Sequence, residues 1–344
     1  MIKAVDEYQD LLRVSVANAG NDHRLGANEA PPAIVSMFLG DELTEILEAI
    51  ESGSSYKNNK KNKMEIGVTA LPHFHKDTTD RNRTSPFAFT GNKFEFRMLG
   101  SSFSAAGPNF VLNTAVAEIL SQFANLLEEA KNFKTALASL IKDTFIAHKR
   151  IIFNGNNYSE EWVKEAENRG LSNLKTTVEA LPKFITKKSE TLFARHGVFT
   201  KAEIHSRYEI LTESYCKTLG IEAMTMIEIT KGKIIPACIA YQSDLAFLLQ
   251  SKKSCGSFDT SLEAYLLGQI SGLSAELLEY LKTLEKLVVE AKGEQKIEAQ
   301  SALFGGKVVT AMSHLRITVD ELESLIAEKH WPLPSYTELL YSVV

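Results

Sequence analysis

The rhythm of hydrophobic positions changes along the chain. From Val5 to Val16, apolar Tyr8, Leu11, Leu12 and Val16 fall near one face of a helical wheel, which predicts an opening helix. Asn18 to Pro32 keeps no period, and its Gly20, Gly26, Pro31 and Pro32 point away from a regular element. Ala33 to Leu39 is a short apolar run of the kind that forms a buried strand. Asp41 is placed to cap a helix in which Leu43, Ile46, Leu47 and Ile50 recur at helical spacing, and Gly53 supplies its stop. Pro86 to Met98 alternates instead and predicts a hairpin. Phe87-Ala88-Phe89 leads into Thr90-Gly91, where glycine permits the turn. On the return strand Phe94, Phe96 and Met98 share one face, and Lys93, Glu95 and Arg97 share the other.

Gly107-Pro108-Asn109 opens a long helix whose stripe is Val111, Leu112, Ala115, Ile119, Phe123 and Leu126. From about residue 130 onward the pattern is almost entirely helical. Ser159 ahead of Glu160 and Glu161 is a helix start, and Gly170 its end. Ile270, Leu273, Leu277, Tyr280, Leu284, Leu287 and Ala291 form one seam; Val308, Met312, Leu315, Val319, Leu322 and Ile326 form a second. Such seams pack helices side by side, so they read as helical core rather than a cofactor groove. Gly268, Gly272, Gly305 and Gly306 predict breaks, and Pro332 and Pro334 end the last helix. The fold class expected is therefore α+β: a sheet region with a β-hairpin, then a mainly helical, bundle-like region.

Composition narrows the possibilities. A chain of 344 residues suggests about two domains. Hydrophobic residues make up 44% and charged residues 24%, enough apolar material for a packed core, which excludes wholesale disorder. No run approaches the ~18 consecutive apolar residues of a membrane span, and Met1 to Glu7 lacks a basic-then-apolar leader pattern. Cys216, Cys238 and Cys255 are odd in number and lack metal-type spacing, as expected of reduced thiols in the cytoplasm. A net charge of -5 argues against a general nucleic-acid binder. Lys57, Lys60, Lys61 and Lys63, diluted by asparagines, read as a solvated loop. Neither a nucleic acid nor a membrane is expected as a partner.

The hairpin holds the most informative chemistry. Alternate residues on a strand stand roughly 6.6 Å apart along one face, so Lys93, Glu95 and Arg97 form a row of cation, carboxylate, cation, with Arg81 and Arg83 arriving from the preceding segment. Four cations around one carboxylate suit a site for phosphates and a divalent metal, in which Glu95 is an oxygen ligand and the cations hold the anion. A solvated outer strand face with incidental ion pairs gives the same pattern, and the pattern by itself leaves both open. The irregular segment before it presents Asp22, His23, Arg24, Asn28 and Glu29. A carboxylate there can orient an amine nucleophile or take its proton, although an ordinary polar loop has the same composition. His73 and His75 share a strand face as a zinc pair would, but no third or fourth ligand accompanies them.

Two long motifs carry a resemblance. Residues Asn21 to Ala33 (NDHRLGANEAPPA) and Arg81 to Arg97 (RNRTSPFAFTGNKFEFR) resemble signatures of the type III glutamine synthetases, and Trp331 to Tyr336 (WPLPSY) is similar to that family's C-terminal tail. The resemblance runs from about residue 2 to the end, strongest over residues 2–120. It implies ligation of ammonia to glutamate with ATP and Mg²⁺ (or Mn²⁺), through a γ-glutamyl phosphate. It further implies that Glu95 ligates metal, that Arg97 contacts substrate and the transferring phosphoryl group, and that Arg83 and Lys93 face ATP phosphates. Arg24 would bind glutamate and Glu29 would close over the ammonium site. The Arg24–Glu29 spacing is one residue shorter than in the commoner bacterial forms.

Family members of this type are about twice as long, and their N-terminal half carries a β-rich domain, further metal-binding glutamates and a glycine-rich segment. The resemblance therefore implies a C-terminal half: residues 1–125 as part of the catalytic domain and 126–344 as the helical domain of the type III form. Intact relatives form ring-stacked dodecamers, so a homo-oligomer is expected of the complete protein, whereas this polypeptide alone is expected to make no glutamine. A non-catalytic helical interaction or regulatory module, or a ligase joining glutamate to another amine, are the other readings.

Overall fold

The predicted opening helix is two helices, α1 (Ile2–Glu7) and α2 (Gln9–Val14). At Tyr8 the backbone leaves the helical region, with φ -115° and ψ 24°, and then resumes. The apolar pattern survives this break, because Val5, Leu11 and Leu12 are fully buried. The structure, a computed structural model, describes residues 1–27, 30–56, 63–64, 74–75 and 85–341. It divides into two compact units, 1–211 and 212–344.

In the first unit, the segment that lacks periodicity nevertheless holds a short helix, α3 (Ala19–Arg24). Asn18 makes it possible, its side-chain oxygen accepting the Asn21 N–H at 2.9 Å. The buried apolar run contains β1 (Met37–Phe38). Helix α4 (Asp41–Ser52) is capped by Gly40 and not by Asp41. Gly40 sits at φ 80°, a backbone position that excludes most other residues, so Asp41 becomes the first helical residue and its charge favours the helix N-terminus instead. Gly53 ends α4 in the left-handed conformation, as expected. Strands β2 (Lys63–Met64) and β3 (Phe74–His75) pair antiparallel. The lysine loop and the His73–His75 pair otherwise lie outside the described residues.

The hairpin forms as the alternation requires. Strand β4 (Phe87–Phe89) pairs antiparallel with β5 (Phe94–Phe96), joined through Gly91 at φ 91°. Strand β1 lies parallel to β4, giving a three-stranded mixed sheet in the order β1-β4-β5. Phe87, Phe89, Phe94 and Phe96 pack on one face, with ring centroids 5.1 to 5.9 Å apart.

Helices follow along the chain: α5 (Ala106–Glu128), α6 (Phe133–His148), α7 (Glu160–Asn168), α8 (Thr177–Ala180) and α9 (Lys187–Arg195), then α10 (Lys201–Ile229), whose sequence runs past residue 211. Ser159 caps α7 by accepting the Trp162 N–H at 3.2 Å, and Gly170 follows its end at φ 71°. Helix α5 is long and apolar enough to cross a bilayer by length and composition. One side of it, Val111, Ala115 and Ile119, is buried, and so is Glu118. That carboxylate accepts from Gln122 at 2.9 Å and meets His196 Nε2 at 2.8 Å, with Arg195 also in contact. Burial opposes its ionisation, but these partners hold it below the ordinary carboxylate range. The far end of the predicted stripe does not reach the core: Leu126 is 57% exposed.

The second unit is all helical among its described residues. It contains α11 (Ile235–Cys255), α12 (Ser261–Gly293), α13 (Ile297–Ala302), α14 (Val309–Leu325) and α15 (Tyr336–Tyr341). Helix α12 packs on α11 and α14 through the two predicted seams, with Ile270, Leu277, Leu284, Ala291, Leu315 and Leu322 buried. Gly268 and Gly272 do not break α12. Gly305 and Gly306 lie within a π-helical stretch, Leu303–Val308, that carries the chain from α13 into α14. The α+β class and the helical character of the later chain are as expected.

The contrast within α5 gives a test. Ile119→Ala should cost about 2–5 kcal/mol of unfolding free energy, as large-to-small core changes do. Leu126→Ala should stay within about 0.5 kcal/mol. Urea denaturation of the two variants measures both.

Candidate functional site

Strand β5 decides the geometry of the site. Its two-residue period sends Phe94 and Phe96 into the aromatic face and leaves Glu95 on the opposite face, paired in register with the small, fully buried Ala88. Lys93 and Arg97 flank it, and the three side chains touch. The Lys93 amine lies 3.2 Å from Glu95 Oε1. Arg97 donates from Nη2 at 2.9 Å and from Nε at 3.2 Å to Oε2. Their side chains are 66%, 36% and 17% exposed from Lys93 through Glu95 to Arg97, so the row opens toward solvent at the lysine end. Hydrogen bonds from Arg97 first, and from Lys93 second, hold the Glu95 carboxyl below the usual glutamate range. It is an ionised oxygen donor at neutral pH.

Arg24 joins the same end of the hairpin. Its Nε donates to Asn21 Oδ1 at 2.9 Å, and its Nη2 donates to the backbone carbonyl of Met98, the residue after Arg97. Asn21, which is buried, donates to that carbonyl at 3.0 Å and to the Val16 carbonyl at 2.7 Å. Thus four of the expected site residues, Arg24, Lys93, Glu95 and Arg97, stand on β5, directly beside it, or on a helix tied to its exit. Glu29 and Arg83, together with Asn28 and Arg81, lie outside the described residues. Asn21, which pattern reading leaves inside an irregular segment, is the residue that joins Arg24 to the exit of β5. Its signal is the Asn18–Asn21 spacing of a capped helix start.

The donor set limits what this surface can hold by itself. Mg²⁺ takes near-octahedral oxygen coordination. Among the described residues no three His, Cys, Asp or Glu side chains converge. Glu95 offers a single carboxylate that a divalent cation could take as one of its ligands, and the neighbouring cations suit an anion beside it.

Comparison with known proteins fixes the kinship. Residues 136–253 match the glutamine synthetase C-terminal domain. Along 100% of its length the chain is 44% identical to a glutamine synthetase of Butyrivibrio fibrisolvens, covering 49% of that protein. It is 40% identical to the type-3 glutamine synthetase of Dictyostelium discoideum (99% of this chain, 48% of that one). It is 34% identical to a glutamine synthetase of Bacteroides fragilis (99% and 49%). The chain belongs to the glutamine synthetase family. It spans about half the length of the curated relatives it matches. For this glutamine synthetase family member, the compact units meet at 211/212, whereas the matched C-terminal domain spans 136–253.

The Glu95 environment yields a titration test. An NMR pH titration of the Glu95 carboxyl should give a midpoint below that of an ordinary glutamate. Arg97→Met should raise it more than Lys93→Met does, since the two Arg97 bonds dominate the shift. Equal shifts, or none, would show that the row is not held as described.

Proposed function

We propose that the chain provides part of the active site of an ATP-dependent glutamate–ammonia ligase. Its family membership supports this reading, and so does the Lys93–Glu95–Arg97 contact row on the motif strand. In the proposed reaction the glutamate side-chain carboxylate attacks the γ-phosphorus of ATP, giving γ-glutamyl phosphate and ADP. Ammonia then attacks the acyl carbon and phosphate leaves, forming the amide of glutamine. A proton must leave the incoming ammonium or the tetrahedral adduct.

Each of the chain's residues has a task in that sequence. Arg24 pairs with a glutamate carboxylate, and Arg97 contacts substrate and the phosphoryl group as its charge shifts. Lys93 and Arg83 neutralise ATP phosphates. Glu29 attracts ammonium and takes its proton. Glu95 supplies one oxygen ligand to Mg²⁺ or Mn²⁺, an ion that offsets phosphate charge when bound. One carboxylate does not complete such a coordination shell, so the polypeptide by itself is expected to be inactive. Assembly into a dodecamer and a cytoplasmic setting belong to the same reading.

The test is glutamine formation from glutamate, ammonia and ATP. It compares the purified chain with the chain co-expressed with the part of the B. fibrisolvens relative that it does not match. Turnover is expected only in the complemented pair, and Glu95→Gln should lower it by about 10²-fold or more. Strong turnover by the chain alone would overturn the expected inactivity. Should the complemented pair neither bind Mg²⁺-ATP nor form glutamine, a non-catalytic interaction module becomes the reading. A preference for a larger amine over ammonia would make it a different glutamate–amine ligase.

A further inference from the structure

Helix α3 carries Arg24 but is only six residues long. Helices shorter than about 12 residues do not hold themselves in water, so the orientation of α3 comes from what grips it. One grip is the contact of Asn21 and Arg24 with the Met98 carbonyl. These residues are three apart and share a helix face.

The other grip is on the next residue round the helix and comes from far along the chain. Asp22 Oδ2 accepts the Thr177 backbone N–H at 2.8 Å, and Oδ1 accepts the Thr177 hydroxyl at 2.8 Å. Arg13 Nη2 also donates to Oδ1, at 3.1 Å. Arg13 and Thr177 are each 1% exposed. Arg13 binds the same distant stretch, donating from Nε to the Leu174 carbonyl at 2.8 Å and from Nη2 to the Lys175 carbonyl at 3.2 Å. Two further contacts fasten that stretch: the Ser172 N–H on Gln9 Oε1 at 2.8 Å, and the bridge between Ile34 and Asn173. The carboxylate of Asp22 is thus met by three donors, two of them from one threonine, in a largely buried place where charge-assisted bonds are strong.

Residues 172–177 lie inside the region matched by the family's C-terminal domain. We infer that Asp22 and Thr177 are positioning residues, through which that domain fixes the helix bearing Arg24. Neither touches the Lys93–Glu95–Arg97 row in the contacts described; they act through α3. Only the kinetic consequence rests on the proposed role of Arg24 in binding glutamate. The latch itself does not.

Amide hydrogen exchange on the purified chain tests the latch without any activity. Thr177→Val removes the hydroxyl donor and keeps the shape. Exchange within residues 19–25 should quicken about tenfold or more, as loss of a hydrogen bond to a charged group implies. Residues 261–293 should keep their rates, and Thr177→Ser should behave as the unaltered chain. No change in α3, or an equal acceleration in α12, would overturn the latch. In the complemented enzyme Thr177→Val should raise the KM for glutamate several-fold while kcat stays within about twofold, again with rescue by Thr177→Ser. Quickened exchange with an unmoved KM would overturn the link to substrate binding. If the unaltered complemented enzyme forms no glutamine, the proposed function fails, and the exchange experiment still decides the latch.

Discussion

A β-strand sends successive side chains to opposite faces, and in β5 this single constraint does two things. It commits Phe94 and Phe96 to an aromatic layer with Phe87 and Phe89. By the same act it gathers Lys93, Glu95 and Arg97 on the other face. The two outcomes cannot be separated. A one-residue slip in the pairing of β4 with β5 would bury the charges and expose the rings. The register that fixes the charged row, Ala88 opposite Glu95, is therefore enforced by apolar burial on the opposite face.

Elsewhere in the first unit, buried charged side chains tie distant segments together. Asp6 is 3% exposed and sits between Arg150 Nε at 2.8 Å and His148 Nδ1 at 2.7 Å, joining α1 to the end of α6. Glu118 joins α5 to residues 195 and 196, and Arg13 joins α2 to residues 174 and 175. Removing one partner from such a contact leaves a buried charge uncompensated, which costs more than the contact contributes. These contacts therefore specify which segments meet more than they add to stability. Through Asp22 the same kind of contact reaches the helix that bears Arg24.

Much of this was legible in the sequence where local chemistry and tertiary packing agree. Gly53, Gly91 and Gly170 each take the positive φ that their positions suggest, Ser159 caps its helix, and the two seams of the second unit meet. The failures come where a distant partner overrides a local signal. Gly268 and Gly272 each weaken a helix by roughly 1 kcal/mol, yet the packing of α12 against α11 and α14 carries the helix through them. The apolar run from Ala33 is divided among three neighbours, Ile34 with Asn173 and Met37 with both Phe87 and Ile152, so only two residues form a regular strand. Helix α3 escaped notice because its glycine and asparagines suit loops equally well, and what holds it lies more than 70 residues away at Met98 and farther at Thr177. The charged row could be read from spacing alone, but the tie between Arg24 and the Met98 carbonyl just beyond it could not.

The asymmetry of that row bears on how it can work. Both oxygens of Glu95 are engaged, Oε1 by Lys93 and Oε2 by Arg97. The lysine is a point charge on a flexible stem, is 66% exposed and makes one contact at 3.2 Å. The arginine is 17% exposed and makes two contacts with a single oxygen. Exposed pairs of the first kind contribute little, so Lys93 can leave Oε1 at little cost. Arg97, with its planar fork already seated, keeps Oε2 and holds the carboxylate in place. Glu95 thus has one oxygen that can be freed toward solvent and one fixed against the protein. In the proposed reaction that division lets Glu95 accept a new partner without reorganising the strand. It also releases the lysine amine to meet an anion arriving on the same face.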